Sequence, residues 1–226
     1  MQESGEAYFL KKILPPHRKT IFDVGACRGA YSKEARRFHP HAKIYAFEPH
    51  PRSLHYLEQA ALKLNFNAYH LGLGNVCETR YLYDTHREGT AQASLYEEVF
   101  QNRPTISHET TITTIDQFCK EQAIEHIDLL KIDAEGFEYE ILLGAKHMIG
   151  SLSVDVIQFE LNHLSFITKR TIFDFMELLP EYRFYRILYR GLIPLDKRHR
   201  SMPAPTEHQN IIAWSPCSQC IYTQKH

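Results

Sequence analysis

Acidic side chains recur in the sequence at the ends of short apolar runs of the kind that form buried strands. They are Asp23, Glu48, Asp133, Glu135 and Glu160, with His163 three residues after the last. If these runs are parallel strands, their carboxyl ends meet at one edge of a sheet, where α/β proteins bind ligands. Each acid alone is also typical of a helix cap or a solvated strand end. Carboxylates gathered at one edge repel each other, so their number favours a cationic ligand, a metal ion or acid–base chemistry there.

A glycine-rich turn follows the first of these runs. Residues 21–32 read Ile-Phe-Asp-Val-Gly-Ala-Cys-Arg-Gly-Ala-Tyr-Ser, so Gly25 and Gly29 stand four apart. This pattern predicts a strand, a tight turn and a helix N-terminus, whose exposed N–H groups hold nucleotide-like ligands. Glycine lets such a ligand approach the main chain closely. The spacing differs from the Gly-x-Gly-x-x-Gly of dinucleotide-binding folds, and glycine also occurs at such turns for steric reasons alone.

The second apolar run ends in an acid at an informative distance from this turn. Residues 43–49 read as a short buried strand that Pro49 terminates. Glu48 lies about 20 residues after the glycine turn, where nucleotide-binding βαβ units place an acid that accepts hydrogen bonds from ribose hydroxyls. Turn and acid together predict a ribose-bearing cofactor.

The segment Lys-Ile-Asp-Ala-Glu-Gly-Phe-Glu at residues 131–138 is the second informative stretch. Asp133 and Glu135 stand two apart, so in an extended chain their side chains point the same way. Gly136 permits a sharp turn into the next helix, and Glu138 fits the first turn of that helix, where the helix dipole favours an acid.

Strand and helix signals alternate along the chain, which predicts an α/β protein with a mostly parallel sheet covered on both faces. We expect residues 1–18 to be a helical lead-in, 19–216 to form the main domain and 217–226 to be a tail. An antiparallel hairpin is expected from 79–84 and 110–113, and a closing C-terminal one from 183–188 and 210–214. The other predicted strands are 21–24, 43–48, 67–73, 127–133 and 154–160, and the predicted helices are 30–38, 51–64, 137–148 and 172–179.

Composition narrows the class of protein. The formal net charge of −1 lacks the excess of positive charge expected of a nucleic-acid-binding protein. No apolar run approaches the ~20 residues of a membrane span, and the polar start is unlike a secretory signal. We therefore expect a soluble cytoplasmic protein. The five cysteines are an odd number and suggest no disulfide framework, and the single Cys217/Cys220 pair is too few ligands for a structural zinc site.

The motifs at 22–32, 45–49 and 130–138, in this order and spacing, closely resemble those of the FkbM-type S-adenosylmethionine (SAM)-dependent methyltransferases. Ala93-Ser94-Leu95 and the Thr-Thr-Ile-Asp at 113–116 match further signatures of that family, and the resemblance covers roughly residues 20–160. Two positions depart from the family pattern. Cys27 stands where Asn is usual, and Asn75 stands where Asp is common.

The resemblance implies a Rossmann-like class I methyltransferase fold with a seven-stranded sheet. It also implies SAM as cofactor and methyl transfer to a hydroxyl, often on a sugar or other secondary metabolite. The donor-binding positions carried over from the family are Asp23, Gly25, Cys27 and Gly29 along the methionine and ribose side, Tyr31 and Ser32 at the start of the adjoining helix, Glu48 at the ribose hydroxyls and Asp133 at the methionine end.

A hydroxyl must lose its proton during methyl transfer, so one group should act as a base. The order of preference from sequence is Asp133 or Glu135, then His163, then Glu160. A divalent cation held by acids at the strand ends is a rival way to activate the hydroxyl.

Two other functions stay open at this point: a nicotinamide-dependent oxidoreductase and a SAM-binding subunit without activity. The missing Gly-x-Gly-x-x-Gly disfavours the oxidoreductase. We expect a small-molecule or glycan acceptor, selected by residues 87–107 and 194–205, because specificity varies most in loops. The sequence does not decide between a monomer and a homo-oligomer.

Overall fold

A large mixed sheet forms the centre of the protein in the computed structural model, which describes residues 5–15, 19–85, 91–101, 103–195 and 208–219. The strands are β1 (Thr20–Val24), β2 (Lys43–Phe47), β3 (Asn67–Tyr69), β4 (Gly72–Leu73), β5 (Glu78–Asp84), β6 (Ile106–Thr113), β7 (Ile127–Ile132), β8 (Val154–Leu161), β9 (Arg183–Leu188), β10 (Gly191–Leu195) and β11 (Gln209–Trp214).

The main sheet has the strand order β10-β9-β11-β8-β7-β1-β2-β3, and a smaller sheet has the order β4-β6-β5. β1 pairs in parallel with β2 and β7, and β7 pairs in parallel with β8. The carboxyl ends of these four strands therefore share one edge of the sheet. β11 is antiparallel to β8 and β9, so it begins at that same edge.

Helices cover both faces of the main sheet. They are α1 (Glu6–Tyr8), α2 (Ala30–Phe38), α3 (Pro51–Leu64), α4 (Ile115–Glu121), α5 (Glu138–Leu143), α6 (Lys146–Gly150), α7 (Ser165–Thr168), α8 (Ile172–Leu178) and α9 (Pro216–Gln219), with a π-helical turn at Phe9–Ile13 and a 3-10 turn at Glu97–Phe100. In the part of the chain that the structure describes, none of the helices has the length and apolar character to cross a bilayer.

The main sheet separates the core into two apolar layers, and successive side chains of β1 point alternately into them. Phe22 faces one layer, in which the Phe47 and Phe118 ring centroids are 4.8 Å apart. Ile21 faces the other, which contains Leu57 of α3 and Trp214 of β11. Since successive side chains of a strand point to opposite faces, the almost unbroken apolar run of β1 fits a strand buried on both sides.

The fold confirms the predicted α/β class and differs from the expected elements in three places. The main sheet has eight described strands rather than seven, because the chain reverses tightly after β9 and adds β10 beyond it. The expected strand 67–73 divides into β3 and β4. β3 pairs with β2, which ends at Phe47, and β4 then pairs with β6 of the smaller sheet. The expected helix 137–148 divides at Gly144, whose backbone lies against the Gly74 carbonyl.

Both expected antiparallel pairings are present. β5 pairs with β6, and β9 pairs with β11 in the register Ile212↔Tyr185. Most of the loop 194–205, which is expected to select the acceptor, lies outside the described residues, as do residues 87–90 and 102 of the other expected acceptor segment and Cys220.

Candidate active site

A cleft opens at the carboxyl ends of β1, β2 and β7. Apolar side chains form most of its wall, and Glu48, Asp133 and Glu135 bring carboxyl groups into it. This is the mixture expected of a small-molecule site. The lining residues are Val24, Gly25, Cys27, Phe47, Glu48, Pro49, Leu71, Gly72, Leu73, Leu82, Ala91, Ala93, Leu95, Asp133, Ala134, Glu135, Phe137 and Ile141.

Gly25 lies where the chain leaves β1 and passes the end of β7. Its φ angle is 74°, and a Cβ placed on it would be 1.8 Å from the Asp133 carbonyl oxygen. The Gly25 and Ala26 amides both donate to the Phe47 carbonyl at 3.0 Å. A side chain at this position is therefore excluded by the main chain itself, as well as by the left-handed conformation.

Glu48 is anchored by two backbone amides at the end of β2. Its Oε2 accepts from the Cys27 N–H at 2.7 Å, and its Oε1 accepts from the His50 N–H at 2.7 Å. The side chain is buried, and burial raises the pKa of the carboxyl to about 7 although both amides oppose that shift. The acid is thus held rigidly between the glycine turn and the start of α3, facing the cleft.

Cys27 adopts the left-handed conformation, with φ 49°. Asn visits this region more readily than other side chains, which gives a backbone reason for the Asn that resembling sequences carry here. The Cys27 contact with Glu48 is made by the backbone amide, and its thiol lies 4.0 Å from Ser53 Oγ. Cysteine instead of asparagine at this position therefore does not remove the backbone amide that holds Glu48.

An ion pair with a buried lysine fixes Asp133. Lys131 Nζ lies 2.7 Å from Asp133 Oδ2, and the lysine side chain is only 5% exposed. Burial raises the pKa of Asp133, but the lysine outweighs it and holds the pKa below its usual value. Asp133 is therefore a charged carboxylate with a partner, which makes it a weak base.

Glu135 lies in the cleft with a left-handed backbone, φ 47°. Ser94 Oγ donates to its carbonyl at 2.8 Å, so the Ala-Ser-Leu segment fixes this turn. No hydrogen bond or ion pair to the Glu135 carboxyl is found among the described residues. Burial, with Asp133, Glu160 and Glu138 next in effect, raises its pKa to about 8.

Glu160 and His163 lie beside the cleft but are not among its lining residues. Glu160 Oε1 is in short contact with His208 Nδ1, and the His208 ring centroid is 6.3 Å from that of His163. Burial raises the pKa of Glu160 to about 7. His208 is not predicted from the carboxyl ends of the strands, because it precedes the antiparallel strand β11. The antiparallel pairing of β11 was the signal that could have found it.

Asp23, Ser32 and Tyr31 are buried away from the cleft lining. Ser32 Oγ donates to Asp23 Oδ2 at 2.6 Å, while Asp23 Oδ1 is buried without a hydrogen-bond partner among the described residues. Tyr31 Oη donates to Gln158 Oε1 at 2.8 Å, and its ring lies 5.4 Å from Lys131 Nζ. Asp23 and Tyr31 are thus buried neighbours of Lys131, which is paired with Asp133.

Two further residues considered from sequence also lie away from the cleft lining. A Cβ on Gly29 would meet Leu57 of α3 at 2.9 Å, so this glycine allows α2 and α3 to pack closely. Asn75 donates to Glu140 Oε2 at 3.0 Å on the outside of α5.

Among the described residues, a group of side chains with metal-ligand spacing is formed by His126, Asp128 and Asp155. It lies at the amino ends of β7 and β8, on the opposite edge of the sheet from the cleft. Asp128 Oδ2 already accepts from the Thr20 amide at 2.9 Å. This group therefore does not belong to the chemistry of the cleft.

Comparison with known proteins identifies the family. The sequence model of the methyltransferase FkbM domain matches residues 23–187, which is most of the chain and includes every lining residue of the cleft. The chain belongs to the FkbM methyltransferase family. Methyltransferase sdnD of Sordaria araneosa is 30% identical over 159 residues, which cover 57% of this chain and 61% of sdnD.

Solved structures share the fold of this chain. The FkbM methyltransferase of Methylobacillus flagellatus matches with a TM-score of 0.57 at 13% identity, over 88% of this chain and 44% of that one. A Streptococcus mutans protein in complex with S-adenosylhomocysteine (SAH) matches with a TM-score of 0.50 at 12% identity, over 92% of this chain and 96% of that one. The chain thus spans about three fifths of sdnD and less than half of the M. flagellatus protein.

The cleft fits the methyl donor that membership of the family implies. A buried acid at the end of the second strand suits ribose hydroxyls, and the apolar wall around Leu71, Leu73 and Leu82 suits an adenine ring. The close passage of Gly25 and the charged Asp133 suit the methionine end, whose sulfonium and ammonium groups are positive. The residues present are therefore chemically compatible with this donor.

Without ligand, the protein should lose stability as the pH rises from 6 to 8.5. Burial raises the pKa of Glu48 to about 7 and that of Glu135 to about 8, above their usual value of 4.5. A protonated acid whose pKa is higher in the folded than in the unfolded state stabilises the folded protein. This contribution is fully present below the unfolded-state pKa and is lost as the pH rises through the folded-state pKa. Scanning calorimetry should show Tm falling by about 5 °C. A Tm that rises over this range would contradict the buried state of these acids.

Proposed function

We propose that this chain is a SAM-dependent O-methyltransferase that modifies a hydroxyl of a sugar or another small metabolite. The observation that carries the proposal is Glu135, a carboxyl in the cleft beside Asp133 that has no cation paired with it in the described part of the chain. When bound, SAM supplies an activated methyl group on a positive sulfur. Methyl transfer then needs mainly alignment of the acceptor and removal of its proton.

Glu135 is the best candidate for the base. A base works most effectively when its pKa lies near the operating pH, and the pKa of Glu135 is raised to about 8. Asp133 is held charged by Lys131 and is better suited to the positive methionine end. Glu160 and His163 stand outside the cleft lining and come after Glu135 in our order of preference.

The proposed acceptor site is the mouth of the cleft next to Glu135. Ala93 and Leu95 line the cleft on either side of Ser94, which fixes the Glu135 carbonyl. Tyr96 follows, with its ring centroid 5.2 Å from that of Phe137, which lines the cleft.

Calorimetry with SAM, SAH and NAD tests the proposal. We expect micromolar binding of SAM and SAH and no binding of NAD, because the turn lacks the dinucleotide spacing. A mass-spectrometric screen of sugar and polyketide hydroxyls should then reveal an acceptor that gains one methyl group. Tight NAD binding without SAM binding would favour an oxidoreductase, and SAM binding without any methylated product would favour a catalytically inactive subunit.

A further inference from the structure

The charges around Glu135 are unbalanced. The charged groups that act on it are Asp133 just after β7, Glu160 of β8, Glu138 at the start of α5 and Lys131 of β7. Lys131 is the cation of this set, and it is already paired with Asp133 at 2.7 Å. Three carboxyl groups therefore act on Glu135, while Lys131 is engaged by Asp133, and His208, which precedes β11, is in contact with Glu160.

Glu135 is held in this position by its backbone. Its φ of 47° and that of Gly136, 100°, make a tight turn that ends at α5. Ser94 Oγ holds the Glu135 carbonyl at 2.8 Å, and Glu138 Oε1 accepts from the Gly136 amide at 3.2 Å and from the Ala134 amide at 3.0 Å. Because three hydrogen bonds fix the turn, its main chain has little freedom to carry the carboxyl away from the neighbouring acids.

We propose that SAM binding displaces a proton from Glu135, so that the carboxylate that serves as base is formed only when the charged donor is in the cleft. This inference rests on the proposed function, since it gives Glu135 its role in methyl transfer. SAM carries a net charge of +1, from its sulfonium, ammonium and carboxylate groups, whereas SAH has lost the sulfonium charge and is neutral. A positive ligand beside an unbalanced group of acids favours their ionised form.

The pKa of Glu135, raised to about 8 by burial and by its acidic neighbours, agrees with this. At neutral pH the group is then mostly protonated before the donor binds. SAM supplies the positive charge that the site lacks, and SAH does not. The site should therefore prefer SAM to SAH, and should do so more strongly as the pH rises.

The proton balance of the proposed cycle closes. SAM binding releases the Glu135 proton to solvent. In the transfer step the acceptor oxygen forms a bond to the methyl carbon, the carbon–sulfur bond breaks with its electron pair going to sulfur, and the hydroxyl proton passes to Glu135. Neutral SAH then leaves a neutral Glu135, which is the state that the next SAM molecule meets.

Calorimetric titration in phosphate and in Tris at pH 7 tests the proposal, because the difference in heat between the two buffers counts the protons released. The number released with SAM should exceed the number with SAH by about one. The ratio of SAM to SAH affinity should rise about tenfold between pH 6.5 and 7.5. With Glu135→Gln, we expect the proton difference to fall below half of the wild-type value and the pH dependence of the ratio to flatten.

Glu140→Gln is the matched control. Glu140 lies in α5 outside the cleft lining and is paired with Arg170 at 3.3 Å, so its loss should leave the SAM–SAH proton difference unchanged. Equal proton release with SAM and SAH in the wild-type protein would overturn the inference while leaving the proposed function intact. The inference would also be overturned if Glu135→Gln showed the same SAM–SAH difference in proton release as the wild-type protein. If neither SAM nor SAH binds, the proposed function fails and the inference fails with it.

Discussion

Replacing Glu48 with alanine should weaken the binding of both SAM and SAH about 100-fold, since charge-assisted hydrogen bonds contribute about 1.5–3 kcal/mol each. Glu48 is the buried acid at the end of β2, and two backbone amides hold its carboxyl in place at the cleft. Alanine removes the acceptor for the ribose hydroxyls and also frees the Cys27 amide, which lies in the glycine turn. Both losses fall on the part of the ligand that SAM and SAH share. Isothermal titration with each ligand measures the effect.

Glu48→Gln separates these two contributions. Glutamine retains one oxygen that can accept from a backbone amide but loses the second acceptor, so we expect a smaller loss of affinity than with alanine. Scanning calorimetry without ligand checks that both variants fold. If Glu48→Ala binds SAM as tightly as the wild-type protein, the ribose does not lie at Glu48 and the position of the donor in the cleft must be revised.

The backbone of the site was predictable from sequence because it depends on local rules. The glycine turn, the acid about 20 residues later and the Asp-x-Glu pair each follow a strand, and parallel strands bring their carboxyl ends together. Gly25, Glu48, Asp133 and Glu135 accordingly line one cleft. The same rules placed β9 beside β11, since both runs alternate in the manner of antiparallel strands.

The roles of the side chains were less predictable, because they depend on partners that are distant in sequence or fold. Asp133 and Glu135 are equivalent in sequence, but only Asp133 is paired with Lys131, and this difference is the reason we propose Glu135 as the base. Gly29 is the second glycine of the predicted ligand-binding turn, yet it faces α3 rather than the cleft. The extra strand β10 follows from a tight reversal that lacks a strong turn signal in the sequence.

Replacing Gly25 with alanine should abolish SAM binding and lower the free energy of unfolding by about 3 kcal/mol or more. The added Cβ would lie 1.8 Å from the Asp133 carbonyl oxygen, which belongs to the backbone and cannot rotate away, and the residue has φ 74°. Either the end of β7 moves, which displaces Asp133 and the turn at Glu135, or the glycine turn moves, which displaces the Cys27 amide from Glu48. Chemical denaturation and titration with SAM measure the two effects.

Gly150→Ala is the control that distinguishes this steric argument from a general effect of replacing glycine. Gly150 ends α6, and a Cβ there would meet no atom within 4 Å. Alanine at that position should leave SAM binding unchanged and should stabilise the protein by up to about 0.5 kcal/mol, because it restricts the unfolded chain. Should Gly25→Ala be as well tolerated as Gly150→Ala, β1 and β7 would not approach each other at this point. The cleft would then lack the close passage of main chain on which the placement of the methionine end depends.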